Sequence, residues 1–148
     1  MLLMYPFLCS SFFQPTASPT AGYICYNSNS MTWDAHRSTA QTLGGDLATI
    51  RCQEQTTIVN GLLGTAGAWI GANDKNVEGT WQWVDGTLVM YENWNTNQPS
   101  NSGGVEDCAI RFGPSGLWND APCGTALPAV YESNTILPGL TCIEYVGK

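Results

Sequence analysis

Charge is scarce in this chain: only 11% of its 148 residues are Asp, Glu, Lys or Arg. Within that share acid outweighs base, 12 to 5, for a formal net charge of -7. A surface of that sign repels phosphate backbones, which excludes a nucleic-acid partner. No polybasic cluster is present to engage anionic lipid. The six cysteines include no Cys-x-x-Cys pair, so zinc-ribbon and thioredoxin readings have no support. There is no Gly-x-Ser-x-Gly elbow and no nucleophilic Cys/His arrangement. The single histidine, His36, falls inside a predicted helix beside Arg37, where a lone histidine is expected at the surface. No catalytic set emerges, and the chain reads as a non-enzyme. Internal repeats and low-complexity runs are absent too.

What is present is a domain-sized chain rich in Asn, Thr, Ser and Gly, long enough to bury a core. Polar, uncharged, turn-rich surfaces and several cysteines suit an extracellular, disulfide-bonded domain. The excess of carboxylates suits a hard divalent cation. Met1 to Phe13 are mostly apolar and lead into Pro15, Ser18 and Pro19. Two readings stand for residues 1–21: a signal peptide, too short to span a bilayer, or an N-terminal extension containing a strand.

Along the chain, Gly22 to Tyr26 reads as a strand, and Thr32 as an N-cap with Asp34 in the first helical turn. The helix runs from Trp33 to Leu43 and stops at Gly44-Gly45. Leu47 to Ile50 reads as extended. A second helix spans about Glu54 to Leu63, with Ile58, Val59, Leu62 and Leu63 as its apolar face. Short strands follow at 68–71, 80–84, 108–112, 117–120 and 129–132. Trp69, Trp81 and Trp83 read as core, because aromatics alternating in strands usually pack. From Tyr91 to Asp107 a long aperiodic stretch rich in Asn, Ser and Gly has the character of a functional loop. Two helices followed by many short strands argue an α+β fold. The partition is an N-terminal segment 1–21, a domain 22–132 and a tail 133–148.

Several of these segments resemble the C-type lectin-like domain family. They are Met31-Thr32-Trp33, Leu43 to Ile50, Trp69-Ile70-Gly71, Trp81 to Gly86, Asn93-Trp94, Gln98-Pro99-Ser100, Glu106-Asp107-Cys108 and Leu117 to Asp120. Cys123 follows shortly after. No tripeptide among them is specific alone; their order and spacing across residues 22–132 are. The resemblance implies two helices flanking two small antiparallel sheets, with a long loop that binds calcium and ligand. It implies a secreted lectin whose partners are glycans or glycoproteins, without membrane insertion. Homo-oligomers are expected, since single lectin sites are weak and avidity needs several copies.

By the same resemblance the main calcium site maps to Gln98, Ser100, Glu106, Asn119 and Asp120, with a cis peptide bond before Pro99. The sugar would sit on the ion through two neighbouring hydroxyls, completed by Gln98, Ser100, Glu106 and Asn119. An auxiliary ion maps to Asp74, Glu78, Asn101, Glu106 and Asp107. Relatives of this kind usually carry Glu-Pro-Asn for mannose-like sugars or Gln-Pro-Asp for galactose. The Gln-Pro-Ser found here leans toward galactose but places a hydroxyl where a carboxylate is expected. Asn101 is a candidate to compensate. No aromatic lies between Ser100 and Glu106 to stack on a sugar.

The resemblance also pairs Cys108 with Cys123. The family's other bridge maps to Ala40 and Tyr131, so the tyrosine ring is expected to fill that volume. For the remaining cysteines, one scheme joins Cys9 to Cys25 and Cys52 to Cys142. If Cys9 is removed, one thiol is spare for a second chain.

Overall fold

The computed structural model describes residues 21–146. Helix α1 (Trp33–Leu43) begins where the Thr32 hydroxyl accepts the Ala35 N–H at 3.2 Å and ends where Gly44 turns left-handed at φ 97°. Its buried side chains, Trp33, His36 and Ala40, recur at helical spacing and form one stripe. Helix α2 (Gln53–Leu63) starts one residue earlier than expected and turns Val59 and Leu63 fully inward. Ile58 and Leu62 are half-buried against the same core.

Among the described residues eight strands make one sheet: β1 (Ala21–Met31), β2 (Asp46–Leu47), β3 (Ala68–Asn73), β4 (Gln82–Trp83), β5 (Cys108–Arg111), β6 (Trp118–Ala121), β7 (Leu127–Ser133) and β8 (Thr141–Val146). The order is β6-β5-β3-β7-β1-β8, with β2 paired to β7 and β4 to β3. The expected antiparallel groups are both present. They meet where β3 and β7 pair in parallel through Trp69 and Ala129, which makes the sheet continuous and mixed. Of the stretch Leu47 to Ile50 only Leu47 enters a ladder, the two-residue β2 that begins at Asp46, and Gly71 explains the course of the chain there. A Cβ on Gly71 would lie 2.9 Å from the Leu47 and Ala48 carbonyl oxygens, while its N–H donates to Ala48 at 2.8 Å.

Neighbours along the central strands point to opposite faces. Ile24, Ile70 and Val130 join one core cluster with Val59, Leu63, Trp81, Trp83 and Trp118. Cys25, Trp69 and Tyr131 join another with Trp33, Ala40 and Leu47. The two helices therefore cover opposite faces, and the three tryptophans expected in the core are there.

Three findings depart from expectation. His36 is fully buried, not at the surface. Its Nε2 lies 2.7 Å from the Leu127 carbonyl, so that nitrogen donates, and its Nδ1, 2.6 Å away, accepts the Tyr131 hydroxyl. Asn27 Nδ2 donates to the same hydroxyl at 3.0 Å. Tyr131 thus shares a cluster with Ala40, as expected, and also ties β1, α1 and β7 together with hydrogen bonds.

Second, Cys25 is bonded to Cys142, which excludes both Cys9–Cys25 and Cys52–Cys142. The two face each other in the β1–β8 register, with Cα atoms 4.0 Å apart. Cys52 is disulfide-bonded as well. Third, the segment read as a tail supplies β8, an added strand alongside β1. The signal-peptide reading of residues 1–21 lies outside the described residues but for Ala21. No helix among the described residues is long and apolar enough to cross a membrane.

Candidate functional site

The long loop is hung from β6 and the aromatics beneath it. Trp118 N–H donates to Asn93 O at 2.8 Å, and Asn95 N–H to Trp118 O at 2.8 Å, so the entry of the loop lies against the strand. Trp94 stacks edge-on against Trp81 and Trp118, with ring centroids 4.7 and 5.7 Å apart. At the loop's exit, Cys108 is bonded to Cys123, with Cα atoms 5.2 Å apart. Both ends of a segment without regular secondary structure beyond one short turn are thereby fixed.

The Gln98–Pro99 peptide bond is cis. Asn97 and Asn101 take positive φ, 61° and 44°, conformations that asparagine tolerates better than most residues. The turn brings backbone donors onto two carboxylates. Asp120, buried on β6, accepts Ser100 N–H at 2.9 Å and Asn101 N–H at 2.6 Å. Glu106 Oε2 accepts the Ser100 hydroxyl at 3.0 Å and Ser102 N–H at 2.7 Å. Asn101 Oδ1 accepts Glu106 N–H at 3.2 Å, closing the short helical turn Ser102–Gly104 onto itself. Ser100, Asn101, Glu106 and Asp120 are therefore one hydrogen-bonded unit.

Gln98 and Asn119 complete the set in a different way. Their carbonyl oxygens, Oε1 and Oδ1, are buried and have no hydrogen-bond donor. A buried acceptor without a partner costs about 1–3 kcal/mol. Carboxamide oxygens and carboxylates are both ligand types that a hard divalent cation takes.

The auxiliary residues gather independently. Ligand oxygens of Asp74, Glu78 and Asp107 lie within 4.8 Å of one another. Asp74 is buried; its Oδ2 accepts Gly79 N–H at 2.9 Å and its Oδ1 has no partner. Burial pushes the Asp74 carboxyl above its ordinary range, and the negative charges of Glu78 and Asp107 push it the same way. Three acids crowded around an unpartnered oxygen also suit a cation. Asn101 and Glu106 connect to this group only through Asp107, the next residue along the chain from Glu106. A polar cleft beside Trp33 went unread from the sequence, because no local pattern marks a cleft between a helix and a hairpin.

The Lectin C-type domain family model matches residues 29–132. Rat versican core protein is 38% identical over 116 residues, covering 77% of this chain. The chain spans only 4% of that relative's own length. Among solved structures, the chain is similar to the cow C-type carbohydrate-recognition domain of CD23, determined in the presence of a GlcNAc2Man3 oligosaccharide. That likeness has a TM-score of 0.73 at 28% identity, covering 84% of this chain and 98% of the other. Herring type II antifreeze protein is similar at TM-score 0.72 and 26% identity, covering 83% and 100%.

Proposed function

The chain belongs to the C-type lectin domain family, a family of binding modules rather than enzymes, and on that premise we propose that it is a secreted, calcium-dependent carbohydrate-binding module. The main ion is held by Gln98, Ser100, Glu106, Asn119 and Asp120. An auxiliary ion is held by Asp74, Glu78 and Asp107, with Asn101 and Glu106. The reading is carried by one observation: the buried, unpartnered oxygens of Gln98 and Asn119, whose near neighbours in the chain, Ser100 and Asp120, belong to the hydrogen-bonded unit of the loop. A bound cation would offer open coordination positions to two neighbouring sugar hydroxyls. Around them, the Gln98 and Asn119 amide groups donate to hydroxyl oxygens, and Glu106 accepts hydroxyl protons. Gln98 favours galactose-type hydroxyl geometry over mannose-type. Ser100 contributes no charge, and its hydroxyl already donates a hydrogen bond to Glu106, which lowers metal affinity relative to a three-carboxylate site.

A second reading has a specific basis. The same Ser100 substitution, together with the likeness to an antifreeze protein, favours a module of this fold whose ligand is not a sugar. A protein, ice or mineral surface, or an extracellular assembly in which this chain is one subunit, belongs to that class. Thermal melts in calcium and in chelator, each with galactose and with mannose, separate the readings. A ligand that binds only the folded state raises the midpoint. A rise with calcium, increased further by galactose, supports the lectin. A chain indifferent to calcium and to both sugars is the non-sugar module.

A further inference from the structure

A cleft of about 230 Å³ lies between the first turn of α1 and the β3–β4 hairpin, lined by none of the residues of the loop site. Its floor is Trp33, whose indole N–H is committed to the Ile70 carbonyl at 2.9 Å. Two cations share that indole: Lys75 Nζ at 5.1 Å and Arg37 Cζ at 5.8 Å from the ring centroid. They are two of only five basic residues in a chain of net charge -7. Side-chain amides line the rest. Asn73 and Asn76 donate to Gln82 only at 3.5 Å, the outer limit of a hydrogen bond, so these donors are poorly satisfied.

Neither cation is locked. Lys75 is paired to Asp34 at 2.7 Å, but both are exposed, and such a pair contributes at most about 1 kcal/mol. Arg37 spends Nε on Asp46 and Nη2 on the Val84 carbonyl, and Nη1 makes no bond among the described residues. The cleft therefore presents ammonium, guanidinium and amide N–H donors with one displaceable carboxylate. At about 230 Å³ it lies below the usual size of a drug-like pocket and admits one monosaccharide unit or its charged substituent.

We propose that this cleft is a second, calcium-independent site for an anionic sugar, one carrying a sulfate or carboxylate oxyanion. The oxyanion takes the place of Asp34 on Lys75 and reaches Arg37 Nη1, while Asn73 and Asn76 donate to it or to ring hydroxyls. The loop acids do not take part. The Asp74 carboxylate lies within 4.8 Å of those of Glu78 and Asp107, whereas its neighbours Asn73, Lys75 and Asn76 line the cleft.

The test is an amide-shift titration by NMR in chelator, so failure of the calcium-lectin reading leaves it untouched. The probes are N-acetylglucosamine 6-sulfate, glucuronic acid and uncharged N-acetylglucosamine. Saturable shifts at Lys75, Asn76 and Gln82 with either acid, and none with the neutral sugar, are expected. A response to the sulfate alone assigns sulfated glycans, and to the uronic acid alone carboxylated ones. Lys75→Gln should weaken binding about tenfold, Lys75→Arg should retain it, and Asp34→Asn should tighten it by removing the competing carboxylate. Equal shifts with the neutral sugar, binding unchanged in Lys75→Gln, or no saturable shift with either acid would overturn the proposal.

Discussion

Replacing Ser100 by aspartate adds a third carboxylate to the loop site, and the stability it costs should be much smaller in calcium than in chelator. In chelator the new charge sits where the Ser100 hydroxyl now donates to Glu106 at 3.0 Å. Two unit charges about 4 Å apart repel by about 1 kcal/mol in water and more as the site is desolvated. Ser100 is exposed and Glu106 half-buried, so the repulsion stays near the lower figure. Loss of the hydroxyl's bond to a charged acceptor adds about 1 kcal/mol. The apo variant should therefore be less stable by about 2 kcal/mol. With calcium bound, the third carboxylate becomes a ligand and the repulsion is neutralised. A tenfold gain in affinity, on the order of 1.4 kcal/mol, would raise the holo variant relative to its own apo form by more than calcium raises the parent. Urea unfolding at unchanged m-value, in chelator and in millimolar calcium, reads both terms, and calorimetry gives the affinity. Equal destabilisation in both conditions would refute the arrangement of ligands argued above.

Tyr131→Phe removes the hydroxyl that serves both His36 and Asn27 and leaves two buried polar groups without a partner. A loss of about 2–3 kcal/mol in urea unfolding is expected, and a change under 0.5 kcal/mol would count against the clip. His36 itself is held below its ordinary value chiefly by burial, with the Leu127 and Asn29 carbonyl bonds opposing. The unfolded chain therefore binds the proton more readily. Its contribution to stability is complete above about pH 6.5 and is lost as the pH falls below it toward the folded-state value. Chemical unfolding from pH 8 to 5 should show that slope, and His36→Gln should flatten it. Asp74→Asn relieves the crowding with Glu78 and Asp107. Its melting midpoint should rise in chelator, while calcium's stabilising increment shrinks.

Features set by near neighbours were legible in the sequence. The limits of α1 follow from a threonine cap and a left-handed glycine, both local chemistry, and matched to the residue. The buried tryptophans follow from alternation in short strands. The cis bond at Pro99 and the Cys108–Cys123 bridge came through family resemblance, and the geometry agrees. The loop was visible as an absence of periodicity. Its internal wiring was not, because backbone donors of Ser100 and Asn101 reach an aspartate 19–20 residues away.

Tertiary structure decided what depends on contacts between distant segments. Helical periodicity places His36 on a stripe with Trp33 and Ala40, yet only the packing of α1 on β7 and β1 supplies Tyr131, Leu127 and Asn29 to satisfy its ring. A polar residue becomes a core residue when its partners arrive from 91 and 95 positions away. The Cys25–Cys142 bridge likewise depends on the register of β8 against β1, across a separation of 117 residues. The segment 141–146, Thr-Cys-Ile-Glu-Tyr-Val, has the β-branched and aromatic residues of a strand, but only the fold decides that it pairs with β1. Local energies of caps, turns and alternation are written residue by residue along the chain. Burial, disulfide partners and clefts depend on which surfaces meet, and that is settled only when the whole sheet closes over its two helices.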